Sequence, residues 1–165
     1  MKLSNSIIID KPARQVWKVL AEDFDKAQQW MAAVPVSYKK DRGNTAPNAP
    51  MVGRICELTR KPDGPIADET ITVFDKDSMI LGINVVPRNG NIPVEQNHAT
   101  YAVKELAHNS TQVSLDSNIE LKTKGKLLYP ALKIGISKSF KEQLQELKYF
   151  VEEGKPHPRK ENSQK

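Results

Sequence analysis

Residues 3–9 alternate weakly between apolar and polar and close on Ile7-Ile8-Ile9, a β-branched run that predicts a strand. Pro12 follows at once, at the start of a helix, where its missing N–H costs nothing. Asp10 or Lys11 is the expected cap, and Asp10 also complements the helix dipole. Ala13, Val16, Trp17 and Leu20 recur at helical spacing and give this helix one apolar face. A second short helical piece, KAQQWMAAV, has Asp23 or Asp25 as its cap and ends before Pro35.

From Val52 the period changes to two. VGRICELTR (52–60) sets Cys56 and Leu58 on one face, and DETITVFD (68–75) sets Glu69, Ile71 and Val73 against Thr70, Thr72 and Phe74. SMILGINVV (78–86) aligns Leu81, Ile83 and Val85; NHATYAVKEL (97–106) aligns Asn97, Ala99, Tyr101 and Val103. TQVSLDSNIEL (111–121) aligns Val113, Leu115, Ser117, Ile119 and Leu121. The clusters KPDGPI, PRNGNIP and AHNS turn the chain between runs, as expected of an antiparallel meander with one apolar face. Residues 39–51, KKDRGNTAPNAPM, have no apolar pattern and read as a tolerated polar insertion.

The last element is a helix from around Lys126 to Glu153, with Gly154 as its C-cap. Leu128, Leu132, Ile136, Phe140, Leu144, Leu147 and Val151 step by three or four and form one stripe along it. Pro130 and Gly135 mark a late start, a bend or a close approach.

Composition narrows the function classes. A chain of 165 residues, 38% hydrophobic and 27% charged, predicts one globular domain over 1–154 and a disordered basic tail over 155–165. No apolar run approaches the roughly 18 residues of a membrane span or the roughly 7 of a signal peptide, so a cytoplasmic protein without integral membrane association is expected. The net charge of +5 puts +3 in the tail, with four Lys/Arg and one Glu, leaving the body near balance and without a basic stripe for nucleic acid. One cysteine and three histidines, none at ligand spacing, predict no metal and no cofactor.

One strand, two short helices, about six more strands and a long amphipathic helix predict an α+β, helix-grip architecture. Its curved antiparallel sheet of about seven strands wraps the last helix in the order β-α-α-β6-α, and a cavity between them is expected. The runs KPARQVWKVLAEDFDKAQQW (11–30), VGRICEL (52–58), ETITVFD (69–75), ILGINV (80–85) and LQELKYFVEEG (144–154) resemble the START-like helix-grip superfamily, also called SRPBCC. That superfamily includes polyketide cyclase/dehydrase-like proteins, START lipid-transfer domains and abscisic-acid receptors. The resemblance implies a hydrophobic-ligand cavity, and Glu69 matches the receptors' pocket glutamate. The receptors' gate and latch are absent, where this chain reads RKPDGPI and RNGNIP, and their pocket lysine falls near Pro35, with Lys39 the nearest basic residue. Hormone reception is therefore not expected.

The expected ligand-binding set is Leu58, Glu69, Ile71, Val73, Ile83, Asn97, Tyr101, Leu115, Ser117, Leu132, Ile136 and Phe140, with Ser139 and Gln143 as further cavity-facing positions. Glu69 is the titratable group of most interest, since burial on an apolar face suits a proton donor or a hydroxyl acceptor. Tyr101 can donate to a ligand carbonyl. His98 alternates to the other face, Cys56 reads as a small core residue, and Trp17 and Trp30 as packing. The expected partner is a small hydrophobic or amphipathic ligand. Two alternatives remain open: a polyketide cyclase/dehydrase-like enzyme using Glu69 and Tyr101, and a protein-interaction module with a collapsed cavity.

Overall fold

The β-branched N-terminal run is β1 (Lys2–Ile9), which pairs antiparallel with the last strand from Lys2↔Asn118 to Ile9↔Thr111. The computed structural model describes residues 1–163. Its strands β2 (Val36–Lys39), β3 (Gly53–Glu57), β4 (Ile66–Asp75), β5 (Ile80–Arg88), β6 (Val94–Ala107) and β7 (Ser110–Leu121) complete one sheet. The order β1-β7-β6-β5-β4-β3-β2 is antiparallel throughout, with the first strand added beside the last. The sheet curves around the long C-terminal helix. Among its strands, β2 is the one that the sequence pattern did not locate: it is four residues long, too short to display a period.

Between β1 and β2 the chain closes one end of the sheet. Helix α1 (Ala13–Trp17) passes into a π-helical turn (Lys18–Glu22) and then a 3₁₀ helix (Phe24–Gln29). Val16, Trp17, Leu20, Phe24 and Trp30 are buried, and Trp17 lies 5.3 Å from Phe74 between ring centroids. The tryptophans are thus packing residues. The expected side-chain caps do not form. Pro12 holds the cap position of α1, while the Asp10 carboxylate faces Lys148 at 3.4 Å; Asp23 is engaged by Lys18 and Lys26. Each carboxylate takes a cation in preference to a backbone N–H.

A bulge in β4 between Ile71 and Val73 inverts the facing of the residues that follow. Phe74 turns inward against Trp17 and Val73 turns outward, where it is 47% exposed. Gly82 is the partner of Val73 across the bulge, and a Cβ there would come within 3.0 Å of the Thr72 hydroxyl and of Val73. The insertion at 39–51 is partly anchored, since Met51 is buried and Ala46 and Ala49 pack against the core.

The long C-terminal helix is preceded by a separate short one. Helix α2 (Thr123–Leu127) ends before α3 (Tyr129–Glu153), with Pro130 in the first turn of α3. Gly154 caps α3 in the left-handed conformation at φ 68°, as expected. Beyond it the tail is not disordered over the described residues: Pro158–Ser163 form α4. The reason is that α4 has specific buried partners. Lys160 is buried with its Nζ donating to the Val34 carbonyl at 2.5 Å, and Arg159 Nε donates to the Glu146 carboxylate at 3.0 Å. The last two residues of the expected tail lie outside the described residues. No described helix is long and apolar enough to cross a membrane.

Candidate functional site

The alternation of β6 and β7 directs Asn97, Ala99, Tyr101, Leu115 and Ser117 to the concave side of the sheet, facing α3 across a cavity of about 520 Å³. Strands β4 and β5 add Ala67, Glu69, Ile83 and Val85, and α3 adds Ser139, Phe140 and Gln143. Met31–Val34, with Arg159 and Ser163 of α4, line one end. Most of this surface is aliphatic or aromatic, and its polar groups fall into separate clusters.

The first cluster is a buried ion pair. Arg54 and Glu69 are direct partners in the β3–β4 register, and both Nε and a terminal nitrogen of Arg54 contact Glu69 Oε2, at 2.9 and 2.8 Å. The same guanidinium donates to the Phe24 carbonyl at 2.8 Å and lies 4.0 Å from the centre of the Phe24 ring. Burial works against the Arg54 charge, and the Glu69 carboxylate more than offsets it, so the guanidinium pKa is raised. Burial pushes the neighbouring Cys56 thiol up to about 12, so it remains a neutral thiol. On the opposite face, Asp68 is clasped by Lys40 at 2.6 Å and Arg88 at 2.9 Å.

Tyr101 stands at the second cluster. Gln143 Nε2 of α3 donates to its phenolic oxygen at 2.7 Å, leaving the phenol proton for another acceptor. Burial first, and then the Glu69 carboxylate, hold the Tyr101 pKa well above its usual range. The third cluster is unsatisfied. Ser117 is cross-strand partner to Ala99, so Asn97 and Ser117 are diagonal neighbours on the cavity face. Among the described residues, Asn97 Oδ1 and Ser117 Oγ are buried without a hydrogen-bond partner. At the fourth, Glu146 receives Arg159 on one oxygen and the Ala32 N–H, at 2.9 Å, on the other.

Of the expected set, Leu58, Glu69, Ile83, Asn97, Tyr101, Leu115, Ser117 and Phe140 line the cavity, as do Ser139 and Gln143. Four do not. Ile71 is sealed in the core at 2% exposure, and the bulge carries Val73 to the outer face. Leu132 and Ile136 lie on the stripe of α3 but before the stretch that reaches the cavity, which begins at Ser139. The residues that pattern reading missed are Met31–Val34, Arg54, Ala67, Glu142, Glu146 and the α4 pair Arg159 and Ser163. Arg54 had a signal: it shares the parity of Cys56 in β3 and of Leu58 just beyond it. Those in α4 had none, because a short polar tail has no apolar period.

The chain matches the family described as polyketide cyclase/dehydrase and lipid transport over residues 1–152. It belongs to that family. Solved structures agree on the fold of this family member. An aromatase/cyclase from Streptomyces sp. R1128 is similar with a TM-score of 0.71 at 12% identity, over 92% of this chain and 93% of that one. The protein XoxI from Bacillus cereus matches with a TM-score of 0.66 at 20% identity, over 91% and 94% of the two chains. A START superfamily protein from Mycobacterium smegmatis matches with a TM-score of 0.61 at 12% identity, over 88% and 98%. No curated protein matches this family member in sequence.

Proposed function

We propose that this protein binds a small, neutral, amphipathic ligand, of lipid, polyketide-like or aromatic character, in the cavity between the sheet and α3. One observation carries the reading: a mostly apolar cavity of about 520 Å³ whose wall includes Asn97 and Ser117, two residues whose Oδ1 and Oγ atoms have no hydrogen-bond partner among the described residues. Cavities of roughly 300–1,000 Å³ suit ligands of this size. A buried acceptor without a donor is costly, and a ligand hydroxyl or N–H relieves that cost. The free proton of Tyr101 suits a ligand carbonyl or ether oxygen. The charges support neutrality, because Glu69 is matched by Arg54 and Glu146 by Arg159, while the third lining carboxylate, Glu142, lies 3.9 Å from Lys138. A charged ligand would enter without a free counter-ion from either pair.

The test is to purify the protein without detergent, denature it and analyse the organic extract by mass spectrometry. A stoichiometric neutral compound is expected. The Ala99→Phe variant, with a ring in the cavity wall, should be recovered folded but empty. An empty wild-type protein that also fails to take up apolar fluorescent probes would overturn the reading.

A second reading, a cyclisation or dehydration of a polyketide-like chain, is favoured by Tyr101, whose phenol stays neutral and keeps its proton available beside the ligand space. Tyr101→Phe separates the two. Loss of turnover of a candidate substrate with binding retained favours the enzyme; loss of affinity alone favours the carrier. The volume of the cavity argues against a collapsed interaction module.

A further inference from the structure

We propose that the surface formed by α2 and the first turns of α3 docks this protein peripherally on lipid bilayers rich in anionic headgroups. Among the exposed large hydrophobic residues described, Ile8, Tyr38, Val73 and Leu106 stand singly on separate strands, and the other four lie together. Leu127, Leu128, Tyr129 and Ile134 fall within eight consecutive residues, and Leu127 and Ile134 are 85% and 74% exposed. Such a group of apolar side chains in water marks an interaction site. The helix stands clear of the sheet here. Tyr129, Pro130, Ala131, Lys133, Ile134 and Gly135 are all exposed, and a Cβ on Gly135 would meet nothing within 4 Å.

The charge of the same stretch decides what covers it. Between Glu120 and Glu142 the chain carries six lysines, at 122, 124, 126, 133, 138 and 141, and no acidic residue. All six are exposed. Among the described residues, Lys138 is the one member with a carboxylate within 4.0 Å, Glu142 at 3.9 Å. The near-neutral balance of the body as a whole conceals this run. Lysines ringing exposed leucine, isoleucine and tyrosine are the composition that lies in a headgroup layer, with apolar side chains inserted and ammonium groups at the anionic surface. A second copy of the chain fits poorly, because a twofold contact would set lysines against lysines. Nucleic acid would engage the lysines and leave Leu127 and Ile134 in water. Docking through this stretch sets the bilayer against the helix whose next turns, Ser139, Phe140 and Gln143, wall the cavity. The proposal stands on exposure and charge alone, so it holds whether or not the cavity is found loaded.

Vesicle co-sedimentation tests it on the full chain. Vesicles of phosphatidylcholine are compared with vesicles holding about 30 mol % phosphatidylserine. Binding is expected to the anionic vesicles only, and to fall at least about tenfold between roughly 0.1 M and 0.5 M salt. Leu127→Ser/Ile134→Ser removes exposed side chains only, so the fold stays intact by circular dichroism, and binding should fall about tenfold or more at low salt. Lys124→Gln/Lys126→Gln/Lys133→Gln should do the same. No partition onto anionic vesicles, or binding unchanged in Leu127→Ser/Ile134→Ser, overturns the proposal. So does a dimer in solution that Leu127→Ser/Ile134→Ser dissolves, or duplex DNA that displaces the protein from the vesicles.

Discussion

Arg54 and Glu69 show how one residue pair joins local register to tertiary structure. Direct pairing across β3 and β4 sets them side by side, and the fold then buries both, at 3% and 7% exposure. The guanidinium also reaches Phe24, so it ties the sheet to the helical closure. Breaking such a pair from one side is far more damaging than replacing both members. Arg54→Met leaves the Glu69 carboxylate buried without its cation and the Phe24 carbonyl without its donor. It should cost about 3–5 kcal/mol in urea denaturation. Arg54→Met/Glu69→Leu should recover more than half of that loss. A single-variant cost below about 1 kcal/mol would mean that water or another group already solvates Glu69. The pair was half visible in the sequence. Glu69 was placed inward by parity, and Arg54 had the same signal, but a charged side chain on an apolar face goes unnoticed until its partner's strand is known to lie beside it.

At the scale of elements, the instructive cases are β4 and α4. Strict alternation would carry Glu69, Ile71 and Val73 all to the cavity side, and one bulge removes Val73 from it and puts Phe74 against Trp17. A bulge adds a residue without altering composition, so periodicity alone does not reveal it. Helix α4 is the converse: a basic, proline-containing tail with the composition of disorder folds because Arg159 and Lys160 find Glu146 and the Val34 carbonyl. Removing residues 158–165 leaves the buried Glu146 carboxylate without its cation and opens the end of the cavity lined by Met31–Val34. A loss of about 1–3 kcal/mol is expected from hydrogen bonds to charged groups. In a chain of this size that lowers Tm by several degrees, at roughly 2–4 °C per kcal/mol, readable by calorimetry. Hydrogen exchange at the Ala32 amide, which donates to Glu146, should quicken in the same variant. An unchanged Tm would show that α4 adds nothing to the fold.

At the scale of the whole molecule, a sheet that encloses a cavity forgoes part of its core packing, and a ligand can supply what is missing. Anything that binds the folded state alone stabilises it by mass action, about 2.7 kcal/mol at a hundred times Kd. On the proposed function, protein stripped by gentle solvent extraction should therefore melt below the protein as purified. Adding back the extracted compound should raise Tm with its concentration, while Ala99→Phe should not respond. Equal melting of stripped and loaded protein would place the compound somewhere other than the cavity.

The division between sequence and tertiary structure follows from the range of the forces involved. The order of elements, the long helix with its glycine cap, the inward parity of Asn97, Ala99, Tyr101 and Ser117, and membership in the helix-grip fold rest on local preference and period, and a chain carries those in itself. Which part of α3 meets the cavity was decided only in three dimensions, because a stripe of seven apolar residues does not say where the sheet ends. Leu132 and Ile136 continue the stripe beyond it, on the stretch where Leu127 and Ile134 stand in water. The same holds for the company each polar group keeps. Glu69, Glu146 and Lys160 are ordinary charged residues in one dimension, and each owes its partner to another segment that the fold brings beside it.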